Sequence, residues 1–325
     1  STNMYDFSGK LICTYSAHRN PAVTDPNWQQ MSIRTIFNFD ALGRLKYIQK
    51  ALNDDFNAQK TIVTHTYDYA GRLSNKALGQ QAGSSDPLET LQFRYNIRGW
   101  MESINRDYAD QTEELHWFGM NLRYDWGFDH AEWNGNIAGT SWRTKGDGLR
   151  RTFGFGYDPA NRLLKANFTQ YEDDQWSNAN MDFTVNMGDP NNSNHNAYDE
   201  NGNILEMHQR GVKINQSIDV DALHYQYYEQ TNKLQSIADF ANDPNTKLGD
   251  FKGRNDANTD LSQVQDYHYD ANGNLIDDYN KSILPTSPGN TGPGIVYNHL
   301  NLPAFIYLPQ GTIQYIYDAA GVKLS

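Results

Sequence analysis

One pattern recurs along this chain and limits what it can fold into. An aromatic residue is followed by Asp or Asn, two free positions, Gly or Asn, a variable residue and an aliphatic. It reads Tyr5-Asp6…Gly9-Lys10-Leu11, then Phe39-Asp40…Gly43-Arg44-Leu45, Tyr67-Asp68…Gly71-Arg72-Leu73 and Tyr95-Asn96…Gly99-Trp100-Met101. It returns as Tyr157-Asp158…Asn161-Arg162-Leu163 and Tyr198-Asp199…Gly202-Asn203-Ile204, with a looser copy at Tyr228-Glu229…Asn232-Lys233-Leu234. The last three are Tyr269-Asp270…Gly273-Asn274-Leu275, Tyr297-Asn298…Asn301-Leu302 and Tyr317-Asp318…Gly321-Val322. The modal step between these ten copies is about 28 residues, a period that marks a repeat architecture. The wide gap between Tyr95 and Tyr157 has room for one more degenerate copy, starting at Tyr124-Asp125.

The chemistry of the unit follows from its residues. Before each motif the chain alternates: Ile33, Thr35, Phe37 and Phe39 share one parity, as do Phe153, Phe155 and Tyr157. Period two is the mark of a strand with two unlike faces. The strand runs into Asp or Asn, whose short side chain bonds backbone N–H groups two residues on. Gly or Asn three residues later accepts positive φ and closes a tight turn, and the aliphatic begins the return strand. Each copy is therefore a β-hairpin, and ten hairpins imply roughly twenty strands. Open twisted sheets rarely exceed about ten strands without curling or splitting. The expected fold is all-β, with antiparallel hairpins forming one long spiralling sheet. The repeat residues Tyr5, Tyr67, Tyr95, Tyr157, Tyr198, Tyr269 and Tyr317 are expected to pack structurally and to stack from hairpin to hairpin.

Tyr67-Asp68-Tyr69-Ala70-Gly71-Arg72-Leu73 and Tyr269-Asp270-Ala271-Asn272-Gly273-Asn274-Leu275 resemble the tyrosine-aspartate (YD) repeat of bacterial Rhs proteins. The same repeat occurs in toxin-complex C subunits and in animal teneurins. The resemblance runs from Tyr5 to Gly321, and the Asn-Gly-Asn-Ile/Leu flavour is similar to bacterial members. It implies part or all of a hollow β-shell, which in Rhs toxins and toxin-complex C subunits encloses a C-terminal toxin. It also implies a secreted or outer-surface location in a bacterium. The implied partners are the rest of a longer chain, an enclosed effector and secretion machinery. The self-cleaving segment that follows the repeats in complete family members has no counterpart here: Asp158-Pro159-Ala160-Asn161 is a repeat copy and Gly188-Asp189-Pro190-Asn191 lies in a loop. Residues 1–325 read as one repeat array, a piece of a longer chain, with a more irregular segment at 117–151.

Composition narrows the partners. Net charge is -12, and the densest basic stretch, Arg143 to Arg151, is short, so the clustered cations that release phosphate counterions are missing. No nucleic acid partner and no membrane insertion are expected, since no apolar run nears the length of a bilayer span. Tyr (21) outnumbers Phe (14) and Trp (7), which suits sheets with one wet face. Insertions between strands are read at 80–86, 186–196, 242–259 and 285–293.

Candidate chemistry is sparse. Asp199-Glu200-Asn201-Gly202-Asn203 and Asp270-Ala271-Asn272-Gly273-Asn274 look like the first half of a calcium loop. Its twelfth position should be Glu, and here is Arg210 or Lys281. His130-Ala131-Glu132 lacks the paired cysteines of a zinc deaminase. Gly154-Phe155-Gly156 lacks the third glycine of a nucleotide loop. Asp173-Asp174 and Asp277-Asp278 are pairs of a kind glycosidases use, but solvated loop charge is the simpler reading. Cys13, the one cysteine, has no His at a fixed spacing and reads as a small buried hydrophobe. No catalytic residue, cofactor or metal is therefore expected. Trp126, Trp133 and Trp142, with Trp117, form the one aromatic cluster that could stack on sugar rings; Trp126, Trp133 and Trp142 are the candidate glycan contacts, with packing in the sheet as the simpler reading.

Overall fold

The computed structural model describes residues 1–25, 30–80, 84, 86–112, 115–189, 196–214, 216–241, 249–285 and 292–324. The four expected insertions fall partly outside these residues, as do Pro190 and Asn191. The protein is all-β: among the described residues, twenty-two strands are joined by turns, one short helix and two single turns of 3-10 helix. Its contacts group the chain into two units, Ser1–Gly127 with Gly139–Arg151, and Phe128–Ala138 with Thr152–Ser325.

The first unit is an antiparallel meander. Its strands are β1 (Thr2–Tyr5), β2 (Leu11–Arg19), β3 (Gln30–Phe39), β4 (Leu45–Leu52) and β5 (Lys60–Tyr67). They continue as β6 (Leu73–Leu78), β7 (Glu89–Tyr95), β8 (Met101–Ile104), β9 (Phe118–Arg123) and β10 (Gly139–Thr144). Each pairs with the next in sequence. Among the described residues of this unit, the exception to strand and turn is α1 (Arg106–Ala109), which follows β8 and packs on β9. It sits so close that a Cβ on Gly119 would lie 2.7 Å from both the Ala109 nitrogen and the Asn105 carbonyl oxygen. Glu89 holds the returning chain: its carboxylate lies 2.7 Å from His116 Nδ1 and accepts the Trp117 N–H at 2.9 Å.

The second unit holds most of β11 (Arg150–Tyr157), then β12 (Leu163–Glu172), β13 (Gln175–Ser177), β14 (Val185–Met187), β15 (Glu206–Lys213), β16 (Gln216–Tyr227) and β17 (Leu234–Asp239). β12 pairs with both β13 and β14, and the ladder runs on through β15 and β16 to β17. Two smaller groups follow: β18 (Tyr267–Tyr269) with β19 (Leu275–Asp278), and β20 (Ile295–Tyr297) with β21 (Pro303–Leu308) and β22 (Gly311–Gln314). Leu223, Ile237 and Tyr267 form a buried cluster, against which Met207, Tyr225, Leu234 and Phe251 pack. Few large apolar side chains are fully buried; Tyr108 and Phe168 are examples, at 2% and 1% exposure. Among the described residues apolar burial is thus spread thinly.

Candidate functional site

The repeated hairpin turn is the feature most often built in this molecule. The Asp6 N–H donates to the Lys10 carbonyl at 2.8 Å and the Gly9 N–H to the Asp6 carbonyl at 3.0 Å. The same pair of bonds closes the turns at Asp40, Asp68, Asn96, Asp158, Asp199, Asp270, Asn298 and Asp318. This is a type I turn followed by a left-handed residue, the three-residue hairpin loop with a bulge. Gly43 and Gly71 stand at φ 78° and 81°, and Asn161 and Asn301 serve at 64° and 57°. Gly99, Gly202, Gly273 and Gly321 occupy the same position in their copies, all at positive φ. A register shift in the ladder just before the aromatic makes Tyr67 face Leu73 and Tyr95 face Met101.

The motif carboxylate is consumed by its own turn. Asp158 Oδ1 accepts the N–H groups of Ala160 at 2.9 Å and Arg162 at 2.8 Å, and Oδ2 takes Arg162 Nε at 2.6 Å. Burial works to raise this carboxyl, and the Arg162 N–H and guanidinium outweigh it, so it lies below the usual range. The Arg44 N–H does the same at Asp40, and the Arg72 N–H at Asp68. Asp199 and Asp270 follow the rule with Asn203 and Asn274 in place of Arg: each Oδ2 accepts an Asn Nδ2, at 2.7 Å and 2.9 Å. The two calcium-like strings are therefore turns whose carboxylates already accept three hydrogen bonds each.

The aromatic joins one hairpin to the one before it. Tyr67 donates its hydroxyl to the Leu45 carbonyl at 2.8 Å, Tyr95 to Leu73 at 2.9 Å and Tyr124 to Met101 at 2.8 Å. In the second unit Tyr157 bonds the Ile137 carbonyl, Tyr198 that of Leu163, Tyr227 that of Ile204, and Tyr269 that of Leu234. Tyr297 and Tyr317 repeat the bond to Leu275 and Pro303. Seven of these nine acceptors open the return strand of the preceding hairpin, and Ile137 and Ile204 stand two residues before β10 and β15. The residue before that acceptor covers the tyrosine ring: Arg44 lies 4.4 Å from the Tyr67 centroid, Arg72 4.9 Å from Tyr95 and Arg162 4.5 Å from Tyr198. Phe39 has no hydroxyl to donate, and its ring keeps only the cation, Lys10 Nζ at 5.5 Å.

One alignment read from the pattern changes, and one degenerate copy falls at the expected tyrosine. In the loose copy the ladder tyrosine is Tyr227, not Tyr228: Tyr227 pairs with Leu234 and makes the carbonyl bond. Tyr228 takes the place of the Asp, in a turn one residue longer than the others, and its hydroxyl reaches the Tyr267 carbonyl at 2.8 Å. The missing copy between Tyr95 and Tyr157 is carried by Tyr124, whose hydroxyl bond matches the rest. Its return strand, β10, begins only after a long loop that ends in Asn134-Gly135-Asn136-Ile137, where the Asn136 N–H donates to Asn134 Oδ1 at 3.0 Å.

The remaining candidates scatter. Asp173 and Asp174 are the two central residues of the β12–β13 hairpin, at φ 50° and 61°, so their placement is a turn requirement. Asp277 accepts the Gly294 N–H at 2.9 Å and lies 3.3 Å from His268 Nδ1. Cys13 is half-buried in β2. Trp117, Trp126 and Trp133 are 61%, 54% and 66% exposed, contrary to the packing expected of them. Arg123 covers Trp126 at 4.0 Å and Lys145 covers Trp117 at 4.5 Å. Trp142 lies half-buried in β10, opposite Met120. Sequence reading passed over Glu206, His208 and His224, which meet across β15 and β16, with Glu206 Oε1 3.4 Å from His224 Nδ1. The Phe240 ring stacks on His224 at 3.9 Å, and burial holds that imidazole below its ordinary pKa. Residues at i, i+2 and the cross-strand partner share a face, a relation invisible until the register is known.

No family model matches the chain, and no curated protein matches it. Among solved structures the chain is similar to a chain of the Photorhabdus luminescens Tc holotoxin pore, at 12% identity and a TM-score of 0.39. The match covers 96% of this chain, which spans 15% of that one.

Proposed function

We propose that this chain is a non-catalytic wall segment of a secreted bacterial Rhs-type shell, whose work is to enclose or present a C-terminal effector. The observation that carries the reading is the tyrosine ladder. In nine hairpins one tyrosine bonds the backbone of the hairpin before it, so the array extends by one contact used again and again. Such a design suits a barrier built of strands whose edges are paired to neighbours. Asp173 and Asp174 stand where a hairpin turn needs them, and Asp277 and Asp278 accept backbone N–H groups, which favours a structural role. The parent protein tests the reading. Its intact mass is measured before and after limited proteolysis. Cleavage beyond the repeats, with a C-terminal piece protected as long as the array is folded, is expected. One uncut chain with no shielded segment overturns enclosure.

A second reading is favoured by one observation, the exposure of Trp117, Trp126 and Trp133. Flat aromatic faces in water suit stacking on sugar rings, which would make the array a surface adhesion module. Saturable binding to a glycan array, abolished by Trp133→Ala, is its expected result; no binding removes it.

A further inference from the structure

Where the β16–β17 hairpin ends, three aspartates converge. Asp221 lies in β16, Asp239 closes β17, and Asp250 arrives from the segment that returns to the hairpin. Each offers a carboxylate oxygen within 4.8 Å of the other two. Their exposures are 4%, 1% and 8%. Asp221 Oδ1 accepts the Phe251 N–H at 2.7 Å, and Asp239 Oδ1 accepts those of Ala222 and Ala241 at 2.9 Å each. Asp239 Oδ2 and Asp250 Oδ1 are buried and accept no hydrogen bond.

The same unit shows how a buried carboxylate is otherwise satisfied. Asp266, 0% exposed, has Arg254 Nε on one oxygen at 2.6 Å and Asn255 Nδ2 with the Ile237 N–H on the other, at 2.6 Å and 3.2 Å. Among the converging aspartates, Asp239 and Asp250 each keep one oxygen without such a donor. Among the described residues their one cationic neighbour is Lys252, whose Nζ lies 2.5 Å from Asp250 Oδ2 and whose side chain is 41% exposed. Burying carboxylates with too few donors is unfavourable, and three together repel. Burial, reinforced by the mutual repulsion, raises the carboxyls of Asp221 and Asp239.

We propose that Asp221, Asp239 and Asp250 bind one calcium ion. The donor set is oxygen alone, the preference of a hard cation. Calcium–oxygen distances of about 2.3–2.6 Å let one ion span oxygens up to about 5 Å apart, which fits the observed separation. Calcium also accepts irregular geometry and fills its remaining positions with carbonyls or water. The ion would fasten the returning segment to the hairpin beside Phe251, which packs on the cluster of Leu223, Ile237 and Tyr267. This site is separate from the repeat turns and does not rest on the proposed shell function.

The test uses the full chain, stripped with EDTA and titrated with CaCl2 by calorimetry, with a thermal melt in parallel. One saturable site per chain is expected, together with a raised melting temperature. Asp239→Asn and Asp250→Asn should each weaken calcium affinity at least tenfold. Their calcium-free melts should match or exceed that of the parent, because one buried negative charge is gone. Absence of a saturable site in the parent chain, or binding that both variants leave unchanged, overturns the proposal. The first of these readouts needs no variant, so a substitution that impairs folding leaves the proposal open to refutation.

Discussion

Tyr95→Phe removes one atom from the ladder and leaves the rest of the hairpin in place. The ring stays half-buried as before, and the Arg72 guanidinium remains 4.9 Å from its centroid. The loss is the 2.9 Å bond to the Leu73 carbonyl. Burial already pushes this phenol above its ordinary pKa, which marks a hydroxyl partly withdrawn from water. A net hydrogen bond contributes about 0.5–1.5 kcal/mol, and a carbonyl left without a partner adds to the loss where water cannot replace it. The expected destabilisation is therefore about 1–2 kcal/mol. Each kcal/mol shifts the midpoint by about 4–8 °C in a domain of 60–100 residues and about 2–4 °C in one of 150–250. The first unit lies between these sizes, so a fall of about 3–8 °C is expected. The assay is a thermal melt followed by circular dichroism, with Tyr69→Phe as control. Tyr69 sits in the same repeat series but is fully exposed, so its hydroxyl should count for nothing measurable. The converse variant is Phe39→Tyr, which supplies a hydroxyl where the motif has none and should stabilise by up to about 1 kcal/mol. If Tyr95→Phe melts with the Tyr69→Phe control, the ladder bond is not what holds successive hairpins together.

Other perturbations probe the turns and the packing. Gly71→Val should cost about 1–2 kcal/mol because φ is 81° there, while Gly71→Asn should cost less, as Asn161 and Asn301 adopt the same backbone; urea midpoints compare them. Gly119→Ala should cost about 1–3 kcal/mol, since its methyl meets backbone of Ala109 and Asn105 that cannot rotate away, and a neutral result would place α1 elsewhere. Asp158→Ala should destabilise by about 1–2 kcal/mol, whereas Asp158→Asn should keep the turn, as Asn96 does by accepting the Arg98 and Trp100 N–H groups. Because the Asp158 carboxyl is depressed in the fold, its contribution is full above the unfolded value near 3.9 and disappears as pH falls through the folded value. Urea midpoints from pH 6 down to pH 2 should therefore fall less steeply in Asp158→Asn than in the parent.

The strand-and-turn plan was legible in the linear chain because its determinants are local. Alternation before Tyr95 or Tyr157 sets which face a side chain takes, and an Asp followed three residues on by Gly or Asn closes the turn within its own few residues. The calcium-like strings at Asp199 and Asp270 could be dismissed on the same local terms. What the local pattern could not decide is which residues meet across strands. A turn one residue longer moved the ladder role from Tyr228 to Tyr227, and only pairing against Leu234 reveals it. The hydroxyl-to-carbonyl bond spans 22 residues from Leu45 to Tyr67 and 35 from Leu163 to Tyr198, so no fixed spacing announces it. Asp221, Asp239 and Asp250 stand singly in sequence among ordinary strand and loop residues. They become a cluster because β16 and β17 pair in one register and the chain returns beside Phe251. Hairpin existence was written in short-range backbone preference; the ladder, the exposed tryptophans and the carboxylate cluster depend on register and loop path, which long-range packing alone decides.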